Sequence, residues 1–204
     1  MADRKLSALV LLAHPNPSQS EVNLTMARAA RDLDGVTLVD LYAQYPTLDI
    51  DIDLEQARLR AHDILVLHFP FYWYSTPAIL KEWQDLVLEY GFAYGHEGTA
   101  LHGKVMFCAV TTGGAQESYM ADGVNHFTVR QLLAPLEQTA NLCGMTYLPP
   151  LVLHSARSAA EEHRIAAHAR AYAFALETAQ ADRWHLPSVA KAETLNAVLD
   201  EMEG

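Results

Sequence analysis

Three short stretches of this 204-residue sequence carry side chains that could bind a ligand. The first is Ala13 to Asn23 (AHPNPSQSEVN), which ends where a helix is predicted to begin. The backbone amides and the dipole of a helix start favour a phosphate, and the hydrogen-bonding side chains here include His14, Ser18, Ser20 and Asn23. The stretch lacks the glycine patterns of dinucleotide and Walker loops. Taken alone, a capped helix after a Pro-rich turn is the simpler interpretation.

The second stretch, Phe69 to Trp83 (FPFYWYSTPAILKEW), is rich in aromatic residues. Four of them follow one another between Pro70 and Pro77: Phe71, Tyr72, Trp73 and Tyr74. Aromatic rings in a short loop either fill a local hollow or form a wall against which a flat ligand can lie.

The third stretch is Thr111 to Tyr119 (TTGGAQESY). Gly113 and Gly114 allow a backbone to approach a ligand closely, and the two threonines offer hydroxyl groups. A flexible surface turn is the alternative interpretation, since most Gly-Gly pairs are turns.

Alternating apolar segments and amphipathic segments predict the elements that carry these stretches. Predicted strands are Leu6 to Ala13, Val36 to Val39, Asp63 to Phe69, Val105 to Val110 and Leu151 to His154. Predicted helices are Glu21 to Leu33, Asp53 to Arg60, Pro77 to Val87, Phe127 to Asn141 and Ser158 to Ala179. The pattern predicts an α/β fold: a flavodoxin-like, doubly wound sheet of five parallel strands in the order 2-1-3-4-5, with helices on both faces.

Two helix starts carry capping signals. Ser75 or Thr76 precedes Pro77, which is well tolerated in a first turn. Ser158 and Glu161 have the spacing of a capping box and predict the start of the long helix.

The three stretches follow strands one, three and four, and ligands of such sheets bind beyond the carboxyl ends of the strands. A phosphate cradle, an aromatic wall and a Gly-rich backbone edge are therefore expected at one end of the sheet. A flat heteroaromatic ring with a phosphate tail would satisfy all three, and flavin mononucleotide (FMN) has that shape.

The chain is expected to form one domain over residues 1–181, followed by an amphipathic tail helix over 182–204. Pro187 breaks the preceding helix, and apolar residues then recur at helical spacing: Leu195, Val198, Leu199 and Met202. Such a tail is expected to pack on its own core or across a partner subunit.

Composition excludes some classes of function. A formal net charge of -11 argues against general nucleic-acid binding, which needs a basic face. No secretory signal opens the chain, and the two cysteines, Cys108 and Cys143, lie among apolar residues, which favours buried reduced thiols and a cytoplasmic location. No metal site is expected, because the ten histidines lack ligand-type spacing.

Four segments, in their order and spacing, resemble the flavodoxin-like NAD(P)H:quinone oxidoreductase family: HPNPSQSEVN, PFYWYSTPAILKEWQD, GFAYGHEGTALHGK and AVTTGG. The best match is to its short members, the ancillary flavoproteins of glutathione-regulated potassium-efflux systems. The resemblance implies FMN as cofactor, with FAD as the alternative, and NAD(P)H as co-substrate. It also implies a homodimer with its active sites at the subunit interface.

The resemblance further implies roles for individual residues. The phosphate and ribityl chain would be bound by His14, Ser20, Glu21, Val22 and Asn23. The isoalloxazine would lie beside Phe71, Tyr72, Trp73 and Tyr74. Its pyrimidine side would face Thr111, Thr112, Gly113 and Gly114. Tyr119 falls where larger members carry a tyrosine that supports hydride transfer. Their histidine six residues later corresponds to Asn125 here, so the neighbouring His126 is either catalytic or an ordinary surface histidine.

By this resemblance the protein transfers two electrons from NAD(P)H through the flavin to quinones, in a ping-pong order. A regulatory subunit that activates a membrane potassium-efflux antiporter is the alternative, and would place the protein at the inner face of the cell membrane. An azo or nitro reductase would share the flavin and the donor. A flavodoxin-type electron carrier is less favoured, because the aromatic and Gly-rich connection from Glu89 to His102 and the tail predict an enclosed pocket.

Overall fold

The computed structural model describes residues 5–202, except for the side chains of Asp200 and Met202. The outermost residues of the two predicted segments, 1–4 and 203–204, lie outside the described residues. Six strands form one sheet: β1 (Ala8–Leu12), β2 (Val36–Asp40), β3 (Ile64–Pro70), β4 (Val105–Thr111), β5 (Thr146–Tyr147) and β6 (Leu151–Leu153). All pairs are parallel, in the order β2-β1-β3-β4-β5, and β6 also pairs with β4. The predicted flavodoxin-like fold class is confirmed.

Helices cover both faces of the sheet. They are α1 (Glu21–Arg31), α2 (Leu41–Gln44), α3 (Ile52–Ala61), α4 (Ala78–Val87), α5 (Val129–Leu132), α6 (Ala134–Leu142), α7 (Ile165–Gln180), α8 (Pro187–Lys191) and α9 (Leu199–Met202). Successive strand residues point to opposite faces, so Leu9 and Leu11 join a core under α3, α4 and α6, whereas Ala8 and Val10 join a second core under α1 and α7.

The fifth position of the sheet is occupied by two short strands rather than one. β5 pairs with the start of β4, where Thr146 is opposite Val105, and β6 pairs with its end, where Leu151 is opposite Ala109. Pro149 and Pro150 lie between the two strands, and a proline has no N–H to donate to the ladder. The predicted strand Leu151 to His154 is therefore only the second half of this position.

The predicted helix from Phe127 to Asn141 is interrupted. Thr128 and Gln131 form a capping box that starts α5, which ends at Leu132. Pro135 then lies in the first turn of α6, where its ring cannot clash with the carbonyl of a preceding turn.

The predicted capping box of Ser158 and Glu161 is wrong. The long helix α7 begins at Ile165, and the Ser158 hydroxyl instead donates to the Ser155 carbonyl at 3.2 Å. His163 has a φ of 55°, which no right-handed helix accommodates, so the turns before it cannot continue into α7. At α4, likewise, Pro77 occupies the N-cap position and neither Ser75 nor Thr76 caps the helix.

The tail after Ala181 is three short helical segments instead of one amphipathic helix. α8 and α9 flank a 3-10 turn, Leu195–Ala197, and the chain is extended at Ala192 and Thr194 between them. This turn is hydrogen-bonded to β6 and to the residue just before it. Leu195 N–H donates to Pro150 O at 2.9 Å, and Asn196 Oδ1 accepts from Val152 N at 2.8 Å. Apolar tail residues are buried in the α1–α7 core of the same chain.

Within residues 5–202, no helix has both the length and the apolar character needed to cross a membrane. The same range contains no cluster of three or more His, Cys, Asp or Glu side chains that could hold a metal ion. Cys108 and Cys143 are both buried and unpaired.

Candidate functional site

A cleft of about 600 Å³ lies beyond the carboxyl ends of the strands. The loops after β1, β3, β4 and β6 surround it, as the position of ligands in doubly wound sheets predicts. Ten of the fifteen predicted site residues line it: His14, Ser20, Glu21, Val22, Asn23, Phe71, Tyr72, Thr111, Thr112 and Gly113. The three stretches identified from the sequence thus meet at one place, and their binding roles stay predictions.

The part of the cleft at the start of α1 is called the hydroxyl end, and comprises Ser20, Asn23 and Thr111. Ser20 is the N-cap of α1, and its Oγ accepts from the Asn23 backbone N at 3.3 Å. The Asn23 side-chain Nδ2 lies 2.8 Å from Ser20 Oγ and 3.2 Å from Thr111 Oγ1. Asn23 therefore ties the loop after β1 to the end of β4.

His14 is positioned at the hydroxyl end as a neutral donor. Its Nδ1 accepts a hydrogen bond of 3.1 Å from the Asn16 backbone N, so the ring proton is on Nε2. Burial lowers the pKa of His14, which opposes protonation. The free N–H can thus serve an anion without adding a full positive charge.

Arg157 adds a positive charge to the cleft lining and was not among the residues predicted from the sequence. It lines the cleft from the segment after β6, which also contributes Ala156, Ala160 and Ile165. The segment is anchored to the glycine loop, because Ser155 N donates to Gly114 O at 2.9 Å and Ala156 N to Thr112 O at 2.8 Å. Inspection of the loop after the fifth strand, at the same sheet edge, would have found it.

The glycine loop presents an open backbone edge. A Cβ added to Gly113 would meet no heavy atom within 4 Å, so space beside this backbone is free. The Thr112 side chain points away from solvent and donates to the Gly114 carbonyl at 2.9 Å. This bond stabilises the turn while the Gly113 backbone remains accessible to a flat ligand.

Tyr119 lies beside the cleft lining rather than in it. Its hydroxyl bonds to Thr112, its ring centroid is 5.5 Å from that of His154, and the Phe71 ring is 6.2 Å away. His154 Nδ1 is 3.1 Å from Thr112 Oγ1 and is the second residue here that the sequence analysis missed as a site residue. Burial raises the pKa of Tyr119, so the phenol keeps its proton near neutral pH.

The aromatic residues are divided between the cleft and its rim. Phe71 is only 9% exposed, whereas Trp73 is 94% exposed. Tyr72 and Ser75 exchange two backbone hydrogen bonds of 3.1 and 3.0 Å, which forms a two-residue hairpin with Trp73 and Tyr74 at its tip. We call Tyr72–Ser75 the aromatic hairpin. Both tip residues have a left-handed φ, 49° and 63°, as a tight hairpin turn requires.

The loop containing the predicted catalytic histidine contacts this hairpin through a different residue. The Tyr74 hydroxyl donates to Asn125 Oδ1 at 3.1 Å. His126 is exposed, has a φ of 58°, and is not part of the cleft lining. The structure thus brings Asn125, rather than His126, to the aromatic hairpin, and a catalytic role for His126 stays a prediction.

Comparison with known proteins identifies the class to which the chain belongs. A family model described as "Flavodoxin-like fold" matches residues 7–176, most of the chain. The protein therefore belongs to this family of flavodoxin-like proteins.

Particular relatives are similar along most of their length. The chain is 44% identical over 172 residues to the glutathione-regulated potassium-efflux system ancillary protein KefG of Cronobacter sakazakii, covering 84% of this chain and 93% of KefG. It is 41% identical, with a TM-score of 0.80, to general stress protein 14 of Treponema denticola in complex with FMN, over 85% and 99% of the two chains. An NADPH-quinone reductase from P. pentosaceus is 33% identical, with a TM-score of 0.72, over 81% and 96%. The chain is thus similar to oxidoreductases and to an FMN-binding protein.

Proposed function

We propose that the protein is an FMN-dependent NAD(P)H:quinone oxidoreductase. The observation that carries the proposal is the single cleft that combines a helix start with hydroxyl donors, an arginine, an aromatic wall and an open glycine backbone. The FMN complex of the similar general stress protein and the name of the similar NADPH-quinone reductase support it.

The residues present fit FMN in each of its parts. Ser20, Thr111 and the α1 amides would bind the phosphate, with Arg157 as counter-charge. The ring would lie along Gly113, where a Cβ would occupy free space, and beside Phe71. FMN is favoured over FAD because the hydroxyl end accounts for one terminal phosphate.

Bound FMN would supply the two-electron chemistry, and the protein would supply binding, orientation and electrostatics. Backbone amides of Thr111–Gly114 would stabilise negative charge at the pyrimidine side of the ring. Tyr119 would keep its proton near neutral pH, and its hydroxyl is hydrogen-bonded to Thr112 in the same cluster. Exclusion of water by the buried Phe71 side chain would strengthen these interactions.

The test is spectroscopic and kinetic. Purified protein incubated with FMN should retain a flavin visible spectrum after gel filtration, and should consume NADPH or NADH faster when benzoquinone is present. A protein that stays colourless after incubation with FMN would overturn the proposal. Initial rates at several benzoquinone concentrations should give parallel double-reciprocal lines, because a ping-pong order releases NAD(P)+ before the quinone binds; intersecting lines would contradict that order.

A regulatory role is a second candidate, favoured by the 44% identity to the ancillary protein KefG. In that role the protein would bind a potassium-efflux antiporter at the inner face of the cell membrane. A neighbouring gene for a cation:proton antiporter would support it, and potassium efflux from cells should then fall when this chain is deleted. Unchanged efflux would leave the reductase as the function, with azo and nitro compounds tested beside quinones as acceptors.

A further inference from the structure

His68 is a buried histidine directly beneath the hydroxyl end. Strand alternation places it with Ile64 and Val66 on the face of β3 that packs against α1 and α7. It is 0% exposed, and burial lowers its pKa to about 3, so the ring is neutral. Its Nε2 lies 3.0 Å from Asn23 Oδ1.

The orientation of the Asn23 amide determines which atom donates in this contact. Its carbonyl end is directed at His68 and its NH2 end at the hydroxyls of Ser20 and Thr111. A carbonyl oxygen only accepts, so His68 donates from Nε2 and is the Nε2–H tautomer. Asn23 is 2% exposed, so solvent does not compete for these bonds.

The direction of these bonds controls what the cleft offers to a ligand. A hydroxyl has one proton and two acceptor positions. Ser20 Oγ accepts from both the side chain and the backbone N of Asn23, at 2.8 and 3.3 Å, which leaves its proton for the cleft. Thr111 Oγ1 also accepts from Asn23 Nδ2, at 3.2 Å, a shorter contact than the 3.5 Å from Thr111 Oγ1 to Asn23 Oδ1. A reversed amide would consume both hydroxyl protons and present lone pairs to the ligand.

We infer that His68 is a positioning residue that fixes the Asn23 amide so that Ser20 and Thr111 donate into the cleft, which selects an anionic phosphate. The inference rests on the proposed binding of FMN. It adds a residue that does not line the cleft and acts only through Asn23.

A purely packing role does not account for this histidine. Its Nδ1 has no hydrogen-bond partner among the described residues, and neither has the hydroxyl of Tyr172, whose ring centroid is 5.3 Å from that of His68. An unpartnered polar atom in a core is costly, so an apolar residue would pack better at this position. The bond from Nε2 to Asn23 is what a leucine here would remove.

The test compares His68→Leu with His68→Gln, whose amide can still donate to Asn23. The matched control is His168→Leu, the same substitution at another buried histidine, which lies on α7. Dissociation constants for FMN and for riboflavin, which lacks the phosphate, are measured by quenching of flavin fluorescence. We expect His68→Leu to weaken FMN binding roughly tenfold, the value of one hydrogen bond, and to change riboflavin binding less than about threefold. His68→Gln and His168→Leu should stay within about threefold of the unmodified protein for both ligands.

Equal losses in His68→Leu and His68→Gln, or in His68→Leu and His168→Leu, would overturn the inference. A second measurement is independent of flavin and of variants that fail to fold: nitrogen-15 NMR of the histidine rings in the flavin-free protein. We expect a proton on Nε2 of His68, and a proton on Nδ1 would refute the inference. If the unmodified protein binds no FMN, the proposed function fails, while the tautomer still decides the role of His68.

Discussion

The two ends of the cleft differ in how completely the chain itself builds them. At the hydroxyl end, Asn23 and Thr111 are buried, and the Asn23 side chain is bonded both to Thr111 and to the Ser20 cap. At the other end, the aromatic hairpin exposes Trp73 almost fully, and one side-chain bond, from Tyr74 to Asn125, connects it to the next loop. The difference indicates that the proposed phosphate site is organised before binding, whereas the rim offers apolar surface to a second molecule.

The largest expected effect comes from filling the free space beside the glycine loop. Gly113→Val should weaken FMN binding at least about a hundredfold, because its branched side chain would occupy the place of the ring. The melting temperature of the flavin-free protein should change little, since no heavy atom outside Gly113 and its two chain neighbours lies within 4 Å of the added Cβ. Ala115→Val, an exposed position in the same loop, is the control and should bind FMN normally. Retained flavin colour in Gly113→Val would contradict the placement of the ring.

Acidification should destabilise the buried layer under the hydroxyl end. The pKa values of His68 and His168 are lowered by burial to about 3 and about 4, from an unfolded value of 6.5. Below pH 6.5 the unfolded chain therefore binds protons that the native protein does not, so the free energy of unfolding falls with falling pH. The slope for the two histidines approaches 3 kcal/mol per pH unit, or about 1.4 each.

This dependence is measured by urea unfolding at pH 7, 6 and 5. His168→Leu should reduce the slope by the share of one histidine, about 1.4 kcal/mol per pH unit. The slope that remains in the variant comes from His68 and from His14 and His154, whose pKa values are also lowered. A free energy of unfolding that stays constant from pH 6.5 to 5 would show that these rings are protonated in the native protein.

A smaller effect is expected from the charge at the cleft. Arg157→Gln should weaken FMN binding about fivefold, the value of roughly 1 kcal/mol for an exposed ion pair, and leave riboflavin binding unchanged. The affinity of the unmodified protein for FMN should fall with added salt, and the variant should lose most of this salt dependence. Arg183→Gln, on an exposed arginine away from the cleft, is the control. Equal loss of FMN and riboflavin binding would exclude Arg157 as a phosphate partner.

The smallest effect on stability is expected at the tip of the aromatic hairpin. Trp73→Gly should change the free energy of unfolding by less than about 1 kcal/mol, because the side chain is exposed and a φ of 49° suits glycine. Phe71→Ala, at the buried base of the same wall, should cost about 3 to 5 kcal/mol. In steady-state assays, Trp73→Gly should raise the KM for benzoquinone, and an unchanged KM would argue against substrate contact at the rim.

Much of this architecture is predictable because it depends on local patterns. Apolar runs such as Leu6 to Ala13 and Asp63 to Phe69 indicate buried strands by themselves, and their alternation with helices sets a parallel sheet whose carboxyl ends meet. The same local reasoning failed where a distant or unusual feature decided the outcome. Ser158 has the right spacing for a cap, but the left-handed His163 prevents the helix from starting there.

The sequence by itself thus determined the fold class, the strand order and the three stretches that surround the cleft. Only the tertiary structure decided that Arg157 lines that cleft and that His154 contacts Thr112. It also placed His68 beneath Asn23, 45 positions away in the chain. It also decided that the tail packs on its own core. The physical reason is that strand and helix periodicity are encoded over a few residues, whereas the direction of a buried hydrogen bond depends on partners that meet only when the chain has folded.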